Sequence, residues 1–183
     1  MSDVDGDGVP DGLLSAPQCL DCTAPGCSRQ TGQVFVVSGR GFTPLYEIFS
    51  PETCDEFGTA LADAGDVDGD NTPDFLVGAE AGAEGRGRAY LYSGATGQLL
   101  FDVDGALLSG PSSGSRYGAQ VVGVGDFTGD QFADLAVAAP GARLFLSRRP
   151  PGADCPGTDH RWAGRRGGVR LLARRGYRLR WRW

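Results

Sequence analysis

The sequence contains no lysine, and only one histidine, one methionine, one isoleucine and one asparagine in 183 residues. Without lysine there is no G-x-x-x-x-G-K-[ST] phosphate-binding loop. The single histidine, His160, leaves histidine-dependent catalysis one candidate. No run approaches the 18 apolar residues of a membrane-spanning helix, so none is expected. Residues 1–15 hold acids and glycines where a secretory signal holds a basic and then an apolar stretch, so no signal peptide is visible. Lysine, isoleucine, asparagine and methionine use A/T-rich codons, and their scarcity points to a very GC-rich gene.

Glycine is abundant, at 30 residues, and joins 11 prolines to favour tight turns over long helices. Apolar residues make up 40% of the chain, enough for a core and too many for wholesale disorder. The formal charge of -6 averages two unlike pieces. Residues 1–147 carry 21 acids against 6 arginines, a net of -15, and residues 148–183 carry 11 arginines against 2 acids, a net of +9.

An internal repeat organises the acidic piece. Shifted by 60 residues, FGTALADAGDVDGDNTPDFLVGAE (57–80) falls on YGAQVVGVGDFTGDQFADLAVAAP (117–140) without a gap and with 8 of 24 positions identical. A third copy, DVDGDGVPDGLLSAP (3–17), lies at an offset of 63, and GQVFVVSG (32–39) matches GRAYLYSG (87–94) at an offset of 55. The complete middle unit reads as four short strands near 58–65, 74–79, 88–93 and 98–102, rich in Val, Leu, Phe and Tyr and bounded by Gly, Asp and Pro. DFLVGA and RAYLYS are nearly all apolar, as strands covered on both faces are. No window carries a helical stripe. Four-stranded antiparallel units repeated in this way predict propeller blades.

The sharpest chemistry is the spacing D-x-D-x-D-x-x-x-D. It is supplied by Asp3, Asp5, Asp7 and Asp11, then by Asp66, Asp68, Asp70 and Asp74, and in altered form by Asp126, Thr128, Asp130 and Asp134. Carboxylates this close repel one another unless a cation lies among them. Hard oxygen ligands at alternate positions suit Ca²⁺, which takes about 6–8 oxygens. Loop position 7, which is Val9, Thr72 or Phe132, is expected to add a backbone carbonyl. Position 6 is Gly8, Asn71 or Gln131; Gly and Asn tolerate a left-handed backbone cheaply and Gln less so. With Thr128 in place of a carboxylate, the third loop is expected to bind calcium more weakly. An EF-hand needs a bidentate Glu at position 12, where this chain has Leu14, Val77 and Val137, each in an apolar strand. Metal-free Asx turns are the plain alternative for one loop, but three at matched repeat positions favour calcium.

An aromatic-Gly pair precedes the second and third loops, and a short triplet centred on alanine follows each loop. These read Phe57-Gly58 and Gly78-Ala79-Glu80, then Tyr117-Gly118 and Ala138-Ala139-Pro140, while the first copy keeps Ser15-Ala16-Pro17. Over about residues 3–146 the chain thus resembles the FG-GAP repeats of integrin α-subunit propellers and their bacterial relatives. The resemblance implies an all-β, partial β-propeller of about 2.5 four-stranded antiparallel blades, followed by an irregular or disordered C-terminal tail. The expected organisation is a partial first repeat with a Cys-rich insertion (1–55), a complete repeat (56–110), a partial third repeat (111–147) and the Arg-rich tail (148–183). The family also implies calcium in the loop between the first and second strands of a blade, and an extracellular or envelope location. Its implied role is non-enzymatic adhesion or binding of a protein or carbohydrate ligand. The alternative is an accessory propeller module of a larger secreted hydrolase or lectin. About two and a half repeats starting mid-blade cannot close a ring of 4–8 blades, so a fragment lacking the remaining blades is expected.

Other motifs are weaker. Cys19, Cys22 and Cys27 lie in the insertion, with Cys54 and Cys155 distant. CxxC-x4-C with Cys54 matches no strong zinc pattern, and a disulfide-stapled surface loop with a thiol left over, Cys155, fits better. Gly110–Gly114 satisfies G-x-S-x-G without the strand and helix of a nucleophile elbow. In the tail, arginines interleave with Trp162, Trp181 and Trp183. A basic arm for nucleic acid or lipid, a disordered terminus and an out-of-frame translation compete there. The missing lysine favours codon bias over selection for charge, so disorder or a frameshift is the reading, with no nucleic-acid partner and no membrane span.

Overall fold

The computed structural model describes residues 1–17, 32–105, 116–127, 129 and 131–139, together with the backbone of 142–148, 162–166 and 169–172. The first sheet has the order β1 (Gly12–Ala16), β2 (Gln33–Val37), β3 (Pro44–Phe49). The second runs β4 (Phe57–Gly65), β5 (Asp74–Ala79), β6 (Arg88–Tyr92), β7 (Leu99–Asp104). These four strands lie where the middle repeat predicts them. The third sheet has β8 (Gln120–Gly125) at one edge, then β9 (Asp134–Ala139), β10 (Ala142–Arg148), β12 (Val169–Leu172) and β11 (Trp162–Arg166). Every named pair of strands is antiparallel. Among the described residues the one helical turn, α1 (Gly82–Gly85), is four residues long and holds Ala83 and Glu84 at left-handed φ values.

The third sheet departs from expectation. In the second sheet β6 begins nine residues after β5 ends. In the third, β10 follows β9 after two residues and pairs with it from Ala142↔Ala139 to Leu146↔Leu135. The contiguous apolar run Leu144-Phe145-Leu146 has the residue types of a strand without copying the repeat. The tail is also not wholly irregular, because β11 and β12 extend this sheet beyond β10. Backbone pairing needs no repeat sequence, only an open sheet edge.

Two cores alternate with the three sheets. Every residue of β5 is buried, because both faces of the second sheet are covered. One face carries Phe75, Val77, Ala79, Tyr90 and Tyr92 against Val34 and Val36 of the first sheet. The other carries Leu76, Ala89, Leu91 and Val103 against Leu135, Val137 and Ala139 of the third. The period-2 alternation of a strand performs this split, sending Val77 one way and Leu76 the other. Sheets stacked face to face through such cores are the blades of a propeller.

The aromatic-Gly pairs are explained by this packing. Phe57 is fully buried in the first core, edge-on to Tyr90 at a 5.3 Å centroid distance. Tyr117 fills the equivalent place in the second core. Each following glycine has a left-handed φ, +91° at Gly58 and +87° at Gly118. A Cβ on Gly118 would lie 2.0 Å from the Arg88 carbonyl oxygen, so no side chain fits. The aromatic plugs the space between sheets, and the glycine lets the backbones touch.

Candidate metal centres

Each acidic loop is wrapped by its own first carboxylate. Asp3 accepts from the backbone N–H groups of Gly6 at 2.8 Å and Gly8 at 2.7 Å. Asp66 accepts from Gly69 at 2.6 Å and Asn71 at 3.0 Å, and Asp126 from Gly129 at 2.6 Å and Gln131 at 2.9 Å. The acceptor and donor positions are the same in all three loops. Asp5 and Asp68 then accept from the N–H two residues on, Asp7 and Asp70, both at 3.1 Å. Those residues in turn accept from Val9 at 2.8 Å and Thr72 at 2.7 Å. Such Asx turns curl the chain so that alternate side chains point to one centre. Position 6 is left-handed at Gly8 (φ +85°), Asn71 (68°) and Gln131 (73°), so even the less suited glutamine adopts the turn.

The last aspartate anchors each loop to its strand. Asp74 is fully buried; one oxygen accepts from Val67 at 2.8 Å and Asp68 at 3.3 Å, and the other from Gly94 at 3.1 Å. Asp11 repeats this with Val4 at 2.7 Å, Asp5 at 3.3 Å and Gly39 at 2.9 Å. Asp134, the third equivalent, is buried as well.

This wrapping brings carboxylates together. One oxygen from each of Asp3, Asp5 and Asp11 lies within 4.8 Å of the others, and the same holds for Asp66, Asp68 and Asp74. Asp7 and Asp70 stand outside these groups. Asp7 is drawn to Arg40, whose Nε lies 3.1 Å from its Oδ2. No spacing rule pointed to Arg40, which reaches the loop from the turn after β2. In the third loop Thr128 and Asp130 fall outside the described residues.

Electrostatics separate the roles of the acids. Asp3 is held below the usual carboxylate range, first by the Gly8 N–H and then, against some desolvation, by Gly6 and Asp7. Asp74 is pushed up to about 6, mainly by burial, with the Asp68 charge adding to it against the N–H groups of Val67 and Gly94. A buried carboxylate facing two others is costly as it stands and suits a site completed by a divalent cation. The all-oxygen donor set fits a hard ion such as Ca²⁺ and lacks the His and Cys that a softer metal would select.

The loops are neighbours. Ser2 donates to Asp63 of β4 through its N–H at 2.6 Å and its hydroxyl at 2.7 Å. Ala133 N–H donates to the Asp66 carbonyl at 3.0 Å, and the Phe132 ring closes on Gly69, where a Cβ would meet it at 2.8 Å. Among the remaining motifs, Cys54 is disulfide-bonded, in keeping with a stapled loop and against a zinc ligand there. Its partner, the G-x-S-x-G segment and His160 lie outside the described residues. Among the described residues no helix is long and apolar enough to cross a membrane.

Comparison with known proteins agrees with this geometry. Residues 118–153 match the FG-GAP repeat family. The chain is 35% identical over 159 residues to integrin alpha-PS3 of Drosophila melanogaster, covering 81% of this chain and 14% of that protein. It is 34% identical over 164 residues to integrin alpha-X of Homo sapiens, covering 81% and 13%, and 30% identical over 156 residues to integrin alpha-5 of Xenopus laevis, covering 81% and 15%. The chain spans about one-seventh of the length of these relatives. Its repeated sheets and aromatic-Gly plugs agree with the FG-GAP repeat matched at residues 118–153, and the chain is similar over four-fifths of its own length to integrin alpha chains.

Proposed function

We propose that this chain is a calcium-binding, non-enzymatic segment of an FG-GAP propeller that serves adhesion or ligand binding at a cell surface or envelope. The observation that carries the metal reading is the twofold convergence of three carboxylate oxygens, in loops 3–11 and 66–74, through one shared hydrogen-bond pattern. Asp3, Asp5 and Asp11 would hold one ion and Asp66, Asp68 and Asp74 another, with Asp7, Val9, Asp70 and Thr72 completing the shells. Asp126, Thr128, Asp130, Phe132 and Asp134 form a third, weaker site in this reading. Bound calcium supplies positive charge that offsets the acid clusters. The residues themselves shape the loops; loops 66–74 and 126–134 join the first and second strands of their sheets, and loop 3–11 leads into β1. The adhesion reading rests on similarity to integrin alpha chains, which also supports an extracellular setting.

Calorimetric titration of the metal-stripped chain with calcium tests the first part. Saturable binding that loses one site in Asp68→Ala and another in Asp5→Ala is expected. A chain that takes up no calcium at millimolar concentration, the weak end of extracellular calcium modules, refutes the reading.

A further inference from the structure

Loops 3–11 and 66–74 carry aspartate at the same four positions. One oxygen of the third aspartate makes the same bond in both: Asp7 accepts from the Val9 N–H at 2.8 Å and Asp70 from the Thr72 N–H at 2.7 Å. At the other oxygen the loops part. Asp7 Oδ2 lies 3.1 Å from Arg40 Nε, and a terminal nitrogen of the same guanidinium donates to the Asp7 carbonyl at 2.8 Å. Arg40 occupies a place that the repeat defines. Ser38-Gly39-Arg40 corresponds to Ser93-Gly94-Ala95 at the offset of 55. In both turns the glycine N–H donates to the last aspartate of the loop, Gly39 to Asp11 at 2.9 Å and Gly94 to Asp74 at 3.1 Å. The residue after that glycine stands beside the loop each time, an arginine in one and an alanine in the other.

We propose that Arg40 sets the calcium affinity of loop 3–11 below that of loop 66–74 by competing with the ion for Asp7, an inference that rests on the calcium reading. Asp7 and Asp70 both stand outside the three carboxylates that converge. Each must swing Oδ2 inward to help complete a shell of about 6–8 oxygens. Asp7 must leave the guanidinium to do so, and a fixed positive charge then stands beside a divalent cation. Ala95 puts no such obstacle beside Asp70. Arginine stays protonated throughout the usable pH range, so no pH change lifts the competition. The Arg40 side chain is 67% exposed, so the pair is a screened one and the effect is modest, about fivefold in affinity.

Calorimetric titration of the full chain with calcium tests this, one loop at a time. Asp68→Ala with Asp126→Ala leaves loop 3–11, and Asp5→Ala with Asp126→Ala leaves loop 66–74. Loop 3–11 is expected to bind about fivefold more weakly than loop 66–74. Adding Arg40→Ala is expected to tighten loop 3–11 about fivefold and to leave loop 66–74 unmoved. Raising the salt towards 1 M, where screening acts within about 3 Å, is expected to narrow the gap between the loops. Far-UV circular dichroism checks folding, and Arg40→Gln replaces Arg40→Ala if the latter does not fold. Calcium uptake with equal affinities overturns the inference and leaves the calcium reading standing. So does a gap indifferent to salt, or an Arg40→Ala chain whose loop 3–11 binds no tighter or binds more weakly, as it would if Arg40 served to brace the loop. A chain that takes up no calcium in either background refutes the calcium reading and this inference with it.

Discussion

Asp68 and Asp74 converge on the same centre, yet the structure gives them different duties, and substitution should separate them. Asp74→Ala removes the acceptor of the buried Val67 and Gly94 N–H groups. At about 1–3 kcal/mol for each buried donor left unsatisfied, the cost is roughly 2–6 kcal/mol even without metal. Asp68→Ala removes one exposed bond, to the Asp70 N–H, and relieves the charge that disfavours an ionised Asp74. Without metal its effect should lie within about 0.5 kcal/mol. Calcium at a hundred times its dissociation constant adds about 2.7 kcal/mol per site, a rise in melting temperature of roughly 5–10 °C for a chain of this length. Asp68→Ala should forfeit that increment for the second loop while matching wild type in chelator. Thermal and urea unfolding of both variants, with calcium and with EDTA, reads this directly. An Asp68→Ala loss of equal size in both buffers, or a wild-type melting temperature indifferent to calcium, refutes the reasoning.

Gly118→Ala should destabilise the chain by at least about 2 kcal/mol in urea unfolding, because it combines a left-handed backbone with a clash on the Arg88 carbonyl. Phe57→Ala should cost about 3–5 kcal/mol by the same measurement, since the ring is fully buried between two sheets and contacts Tyr90 and Tyr92. Asp55 is buried, accepts from Ser50 Oγ and from the Phe57 N–H at 3.1 Å, and is pushed up chiefly by desolvation, with Glu52 adding to it. A folded-state value above the unfolded value means that its contribution is fully present below the unfolded value of about 3.8 and lost as pH rises through the folded value. Asp55→Asn should therefore gain on wild type as pH rises from about 4 towards neutrality, and an unchanged difference across urea unfolding series at those pH values counts against it.

Much of the second sheet was legible in the sequence. The strands expected near 58–65, 74–79, 88–93 and 98–102 from apolar runs punctuated by Gly, Asp and Pro lie within two residues of the observed 57–65, 74–79, 88–92 and 99–104, because each unit repeats one local pattern. The acidic loops were legible for the same reason, since Asx turns are local and their donors lie within a few residues. The third sheet was less so. β10, β11 and β12 do not copy the repeat, and their pairing is set by an open edge and not by a motif. Arg40 was likewise invisible, because its approach to Asp7 comes from a turn 33 residues away in sequence.

The sequence by itself determined the repeat, its all-β character and the spacing of the carboxylates. These are local properties, carried by period-2 alternation and by the backbone demands of short turns. The tertiary structure alone decided which carboxylates converge, since Asp3, Asp5 and Asp11 meet while Asp7 turns to Arg40. It also decided which apolar faces are covered. Val122 and Leu14 look like core residues in the repeat, and only the stacking of the sheets leaves them at its two ends. Burial depends on what lies across a face, and that neighbour is remote in sequence.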